Sequence, residues 1–178
     1  MGKILHLSAE KWKNMPYKST IISKETTKGD IMGLLFKNGV EDYQWTRVKG
    51  QESLVFKLTV RIDNQDYELA FKYEPAMIYK ETGRGHSKEW TLQEKQSWRM
   101  FYWLLKAKLE AVQFGLEEAY EVMASNIVNL LPDGTQVTVA EAIKSLLSTG
   151  NMDNLALEYI PPEEPEERRK VENENLHE

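Results

Sequence analysis

The chain has 178 residues, 41% of them apolar and 29% charged, with no cysteine and a formal net charge of −5. That length and apolar content suit one packed core. The missing cysteine excludes disulfides, thiolate catalysis, iron–sulfur clusters and cysteine-bound zinc, and fits a reducing compartment.

No window approaches 18 uninterrupted apolar residues, and the stretch from Met1 to Glu10 is too weakly apolar for a signal peptide. The expectation is a cytoplasmic protein with no membrane partner. Residues 1–19 read as a basic lead-in, 20–160 as a single α+β domain and 161–178, rich in Pro and Glu, as a disordered acidic tail.

In chain order, Thr20-Ile21-Ile22-Ser23 is a short β-prone run. Thr27 stands three residues before Asp30 like a capping box, and Ile31, Leu34 and Leu35 follow at helical spacing up to Gly39, which predicts a helix over 28–38. Three strands are predicted at 42–48, 53–62 and 66–74, separated by Lys49-Gly50 and Asp63-Asn64-Gln65. Leu54, Phe56, Leu58, Val60 and Ile62 share one face of the second, with Lys57, Thr59 and Arg61 on the other. Pro75 ends the sheet, and residues 76–90, with Gly83 and Gly85, read as an exposed loop.

A long helix is expected over 92–114, opened by Thr91 and Glu94 and closed at Gly115. It is apolar on nearly all sides around Trp98 to Leu105, which marks it as the central helix. A helix over 117–128, a Pro132-Asp133-Gly134 turn and a last helix capped by Thr138 and Glu141 and ending at Gly150 complete the chain. The predicted fold class is α+β: an antiparallel meander of three to four strands on a long central helix, with C-terminal helices. Trp98, Phe101, Trp103, Phe114, Phe56 and Phe71 are assigned to the core.

Charge is unevenly distributed. Residues 1–108 hold 19 Lys and Arg against 13 Asp and Glu, a formal +6, whereas 109–178 hold 4 against 15, a formal −11. Two basic clusters are candidate contacts for DNA, RNA or a protein partner. Lys80, Arg84 and Lys88 lie in the Gly-rich loop. Lys95, Arg99, Tyr102 and Lys106 recur at spacings of 4, 3 and 4, along one helix face. Tyr43 and Trp45 alternate on a prospective edge strand and form a candidate stacking platform. A solvated helix face and an ordinary connector are the bland alternatives.

Catalytic chemistry is sparse. His6, His86 and His177 have no ligand spacing, and Gly83-Arg84-Gly85 is neither a Walker nor a dinucleotide fingerprint, so no metal and no cofactor are implied. Asp66, Glu68 and Lys72 form the nearest approach to a nuclease pattern, but an ion pair on the outer strand face explains them more simply.

At Trp98-Arg99, followed by Leu105-Lys106-Ala107-Lys108-Leu109-Glu110-Ala111-Val112 and Gly115, the chain resembles a family of small uncharacterised proteins from bacteriophages and bacterial mobile elements. The Leu131-Pro132-Asp133-Gly134-Thr135 turn, the helices around it, Thr82-Gly83-Arg84 and Gly39-Val40 are similar in order. The resemblance covers roughly residues 20–150. It implies no activity and no site residues, only a setting: an accessory protein of DNA replication and recombination, or one that disables a host defence. The first expectation is therefore a non-enzymatic accessory protein acting on or beside DNA or RNA. The alternatives are an inhibitor that binds a host or phage protein, its acidic half imitating nucleic-acid charge, and a metal-dependent nuclease.

Overall fold

In the computed structural model, which describes residues 3–62, 64–83, 89–130 and 135–149, the chain begins β1 (Ile4–Leu7), α1 (Ala9–Lys13), α2 (Lys24–Lys37). A meander β2 (Tyr43–Val48), β3 (Gln51–Ile62), β4 (Gln65–Tyr73) follows, then β5 (Met77–Thr82), β6 (Glu89–Leu92) and the long α3 (Glu94–Gln113). The remainder is α4 (Ala119–Val122), a 3-10 turn at Ala124–Asn126, β7 (Val128–Leu130), β8 (Gln136–Thr138) and α5 (Val139–Thr149). Two compact units divide it, Met1–Ala142 and Ile143–Glu178, the second described only over the end of α5. The architecture is α+β, as the hydrophobic pattern predicts.

The meander follows from period-two patterning. Lys49 and Gly50 both take positive φ, 50° and 82°, the two-residue turn whose twist matches an antiparallel hairpin. The register then sets Trp45 opposite Leu54, Leu54 opposite Tyr73 and Phe56 opposite Phe71. Leu54, Phe56, Val60, Phe71 and Tyr73 are buried on one face. On the other, Lys57 pairs with Glu68 at 2.7 Å and Arg61 with Asp66 at 2.8 Å, so the carboxylates of the nuclease-like trio already have cationic partners. Ile31 and Leu35 of α2 and Trp98, Phe101, Leu105 and Leu109 of α3 close the core over this sheet.

Several local expectations give way to tertiary structure. Helix α2 starts four residues earlier than Thr27 suggests, because the Ser23 hydroxyl accepts from the Thr26 N–H at 3.1 Å; Thr27 is buried instead. Residues 20–23 form no strand. The predicted loop over 76–90 is two strands over its described residues: β5 pairs in parallel with β1 and antiparallel with β6. The lead-in thus contributes a strand and a helix. The predicted helix at 117–128 breaks after one turn. There Met123 enters the core, the Asn126 amide donates to the Lys72 carbonyl at 2.9 Å, and Ile127 bridges Phe71. Trp103 and Phe114 are not core residues: α3 turns one face inward, leaving Trp103 38% exposed, and Phe114, past the helix end, 70% exposed.

Two caps match expectation. Gly115, at φ 66°, closes α3, and the Thr138 hydroxyl and Glu141 carboxylate exchange hydrogen bonds with each other's backbone N–H at 3.2 and 2.9 Å. The 131–134 turn, Gly150 and the acidic tail lie outside the described residues.

Neighbouring leucines test the inward face of α3. Leu105 is fully buried and Leu104 is 52% exposed. In urea denaturation Leu105→Ala is expected to cost about 2–5 kcal/mol, and Leu104→Ala no more than about 0.5 kcal/mol.

Candidate nucleic-acid interface

The predicted helix stripe lies on α3, with Arg99 and Lys106 engaged by carboxylates and Lys95 exposed. The Arg99 guanidinium donates to Asp30 at 2.6 Å and lies 4.4 Å from the Tyr102 ring centre and 5.6 Å from that of Trp103. Lys106 pairs with Glu110, its ammonium 5.4 Å over Trp103, and Trp103 stacks on Tyr17 at 5.9 Å. Lys95 is exposed beside a hollow of about 310 Å³ that Lys18, Thr20 and Gln96 also line. The result is an aromatic patch with balanced charge more than a phosphate track.

The other predicted contacts are scattered. Tyr43 and Trp45 lie on the edge strand β2, but both are engaged: Tyr43 donates to the Met32 sulfur at 2.9 Å, and Trp45 leans on Trp98 at 5.5 Å beneath the Lys28 ammonium. Lys80 belongs to β5, where its ammonium sits 3.8 Å from the Trp12 ring centre. Arg84 and Lys88 lie outside the described residues.

Two further lysines are taken up internally. Lys24 and Lys28 of α2 both donate to Glu52 of β3, and both lie 5.1 Å over the buried indole of Trp98. Burial alone would raise the Glu52 carboxyl, but the hydrogen bonds and charges of the two lysines outweigh it and hold it below the ordinary glutamate value.

A second aromatic surface was invisible in the sequence patterning. Among the described residues, sheet β1-β5-β6 has one closed face, centred on Ile78, and one more open face on which Ile4, Trp90 and Leu92 are exposed. Ile78 is fully buried on the closed side, where its N–H donates to Ser97 Oγ at 2.9 Å and its carbonyl accepts from the Gln93 N–H at 2.8 Å, fixing β5 to the start of α3. Helix α1 covers the same side: Trp12 sits under Lys80 and donates to Gln96 at 2.9 Å. Alternation then turns His6, Tyr79 and Trp90 outward, one from each strand, together with Ile4, Met77, Glu81 and Leu92. His6 stacks on Tyr79, with ring centres 5.3 Å apart and planes 10° from parallel, and meets Trp90 edge-on at 4.6 Å and 85°. Trp90 remains 44% exposed. The one signal for this surface in the sequence was a tryptophan at the end of a supposed loop.

Neither surface has catalytic geometry. A hollow of about 470 Å³ lined by Thr46, Ser53, Lys72 and Glu74 has its polar groups bonded to one another, Thr46 to Ser53 at 2.6 Å and Gln51 to Glu74 at 3.0 Å. Among the described residues no group of three His, Asp or Glu converges as metal ligands would, and no helix is long and apolar enough to cross a membrane. No family model, no curated protein and no solved structure matches the chain.

The Glu52 cluster yields a pH-dependent expectation. A carboxylate whose pKa is lower folded than unfolded contributes stability that is fully present above the unfolded value, about 4.3, and lost as pH falls through the folded value. Glu52→Gln is expected to lower stability at pH 7 by about 2 kcal/mol, less than the ~3–5 kcal/mol of a fully buried pair because both ammoniums still reach water. Denaturation from pH 7 to 3 checks it: the gap between parent and variant narrows once Glu52 protonates in the parent, and a gap that stays constant refutes the role of its charge.

Proposed function

We propose that this is a non-enzymatic accessory protein that binds nucleic acid, and that its contact surface is the open face of the β1-β5-β6 sheet. The observation that carries this reading is the contact cluster of His6, Tyr79 and Trp90, one ring from each of three adjacent strands, on a face whose Ile4, Trp90 and Leu92 are exposed among the described residues. Sheets that present aromatic rings in this way offer stacking surfaces to bases, and any base has a π-face to meet them. A replication or recombination setting is supported only by the resemblance at Trp98 to Gly115.

Fluorescence anisotropy of labelled DNA and RNA with the full chain tests the reading. Saturable micromolar binding is expected, weakened about 10-fold or more by Tyr79→Ala, since loss of one stacked base costs about 1–3 kcal/mol. Absence of binding to both polymers, or binding untouched by Tyr79→Ala, overturns it.

The α3 patch favours a second reading, a docking surface for a protein partner. Tyr17, Arg99, Tyr102 and Trp103 are the residue types that dominate interface energetics, gathered here around one exposed indole. A Trp103→Glu variant, at an exposed position, is expected to keep its fold by circular dichroism. It should also keep the nucleic-acid affinity of the parent, separating the two surfaces; a matching loss of that affinity merges them.

A further inference from the structure

We infer that the open face takes unpaired bases of a single strand and holds them by stacking, with few phosphate contacts. This rests on the nucleic-acid reading above and deepens it.

The first argument is geometric. Inside a duplex both faces of every base are covered by its neighbours, so a surface that works through ring faces reaches only bases that are unpaired or turned out of the stack. The rings of His6, Tyr79 and Trp90 draw together across the three strands, His6 lying 5.3 Å from Tyr79 and 4.6 Å from Trp90 between ring centres, so they offer one compact stacking surface.

The second argument is electrostatic. Duplex binding draws most of its free energy from cations that displace counterions along the phosphates. Among the described residues of the open face, alternation places Ile4, His6, Met77, Tyr79, Glu81, Trp90 and Leu92, with a carboxylate and no lysine or arginine. Lys80, the cation of the central strand, is held on the closed side over Trp12. Elsewhere Lys24, Lys28, Lys57, Arg61, Arg99 and Lys106 each have a carboxylate partner, while the exposed Lys37, Arg47, Lys49 and Lys95 belong to the β2–β3 hairpin of the other sheet and to α2 and α3 and not to this face. A surface rich in rings and poor in free cations selects stacking.

The experiment uses the full chain with three probes of one sequence: a single-stranded DNA of about 12 nucleotides, its duplex, and the same single strand with an uncharged methylphosphonate backbone. Expected are at least about 10-fold tighter binding of the single strand than the duplex, and a slope of log K against log salt shallower than about −2. The methylphosphonate strand should keep affinity within about 3-fold of its charged counterpart. Trp90→Phe, which keeps a ring, retains binding, whereas Trp90→Leu, which keeps apolar area without a π-face, loses it about 10-fold. Equal or tighter duplex binding, a slope steeper than about −4, or loss of the methylphosphonate complex overturns this inference while leaving the nucleic-acid reading intact. Binding to none of the three overturns both. Sedimentation showing a dimer that Trp90→Leu dissociates assigns the face to a second copy of the chain, and that outcome also overturns both.

Discussion

Three consecutive buried residues at the start of α3 hold the described fold together. Gln96, Ser97 and Trp98 point to three different parts of the molecule. Gln96 accepts from the Trp12 indole and donates to the Pro16 carbonyl, tying down the lead-in. Ser97 accepts from the Ile78 N–H and donates to the Gln93 carbonyl, tying down the small sheet. Trp98 fills the space between the meander and α2, against Trp45 and Phe101. Gln96 and Ser97 have their buried polar groups bonded and so avoid the desolvation penalty, whereas the buried Trp98 indole N–H has no hydrogen-bond partner among the described residues and is held by packing alone. One helical turn therefore couples segments that are otherwise distant in the chain.

The same turn shapes the electrostatics. Two lysines from α2 converge over Trp98 because the helix carrying them packs across its ring, and the negative quadrupole of the indole favours them there. Two ammoniums beside a buried ring need a counter-charge, and Glu52, the second residue of β3, supplies it. A sequence that looks basic over its first 108 residues thus folds into a structure in which Lys24, Lys28, Lys57, Arg61, Lys72 and Arg99 face carboxylates of the same half, while Lys37, Arg47, Lys49 and Lys95 stay exposed.

What could be read in the sequence, and what could not, follows from the distance over which each signal acts. The meander was legible because alternation and a two-residue turn are local, and Lys49-Gly50 sets the register within a few residues. The α5 cap was legible for the same reason. The small sheet was not: β1 and β6 are four residues each, and the partner of Ile4–Leu7 lies more than 70 residues downstream, so nothing nearby marks either as a strand. The helix stripe was placed correctly on one face, yet the Asp30 that engages Arg99 lies 69 residues away, beyond any spacing rule. The run from Met100 to Leu105 is apolar all round, which hides the inward face. Only packing shows that Trp98, Phe101 and Leu105 turn in while Trp103 turns out.

An open aromatic face is a liability that the fold contains locally. The β1-β5-β6 sheet does not depend on that face for its burial, because Ile78 and the Trp12 contact close the other side. Its outer strands are four residues each, too short to template extended pairing with another chain. His6, Tyr79 and Trp90 also cover one another in part, which lowers the apolar area left to water without closing the site. The three rings come from segments at 4–7, 77–82 and 89–92, far apart in the chain, so the ring cluster belongs to the folded state. A ligand that stacks on it must therefore stabilise the small sheet in proportion to its saturation, and anything that loosens the first turn of α3 weakens ligand binding without touching a ring.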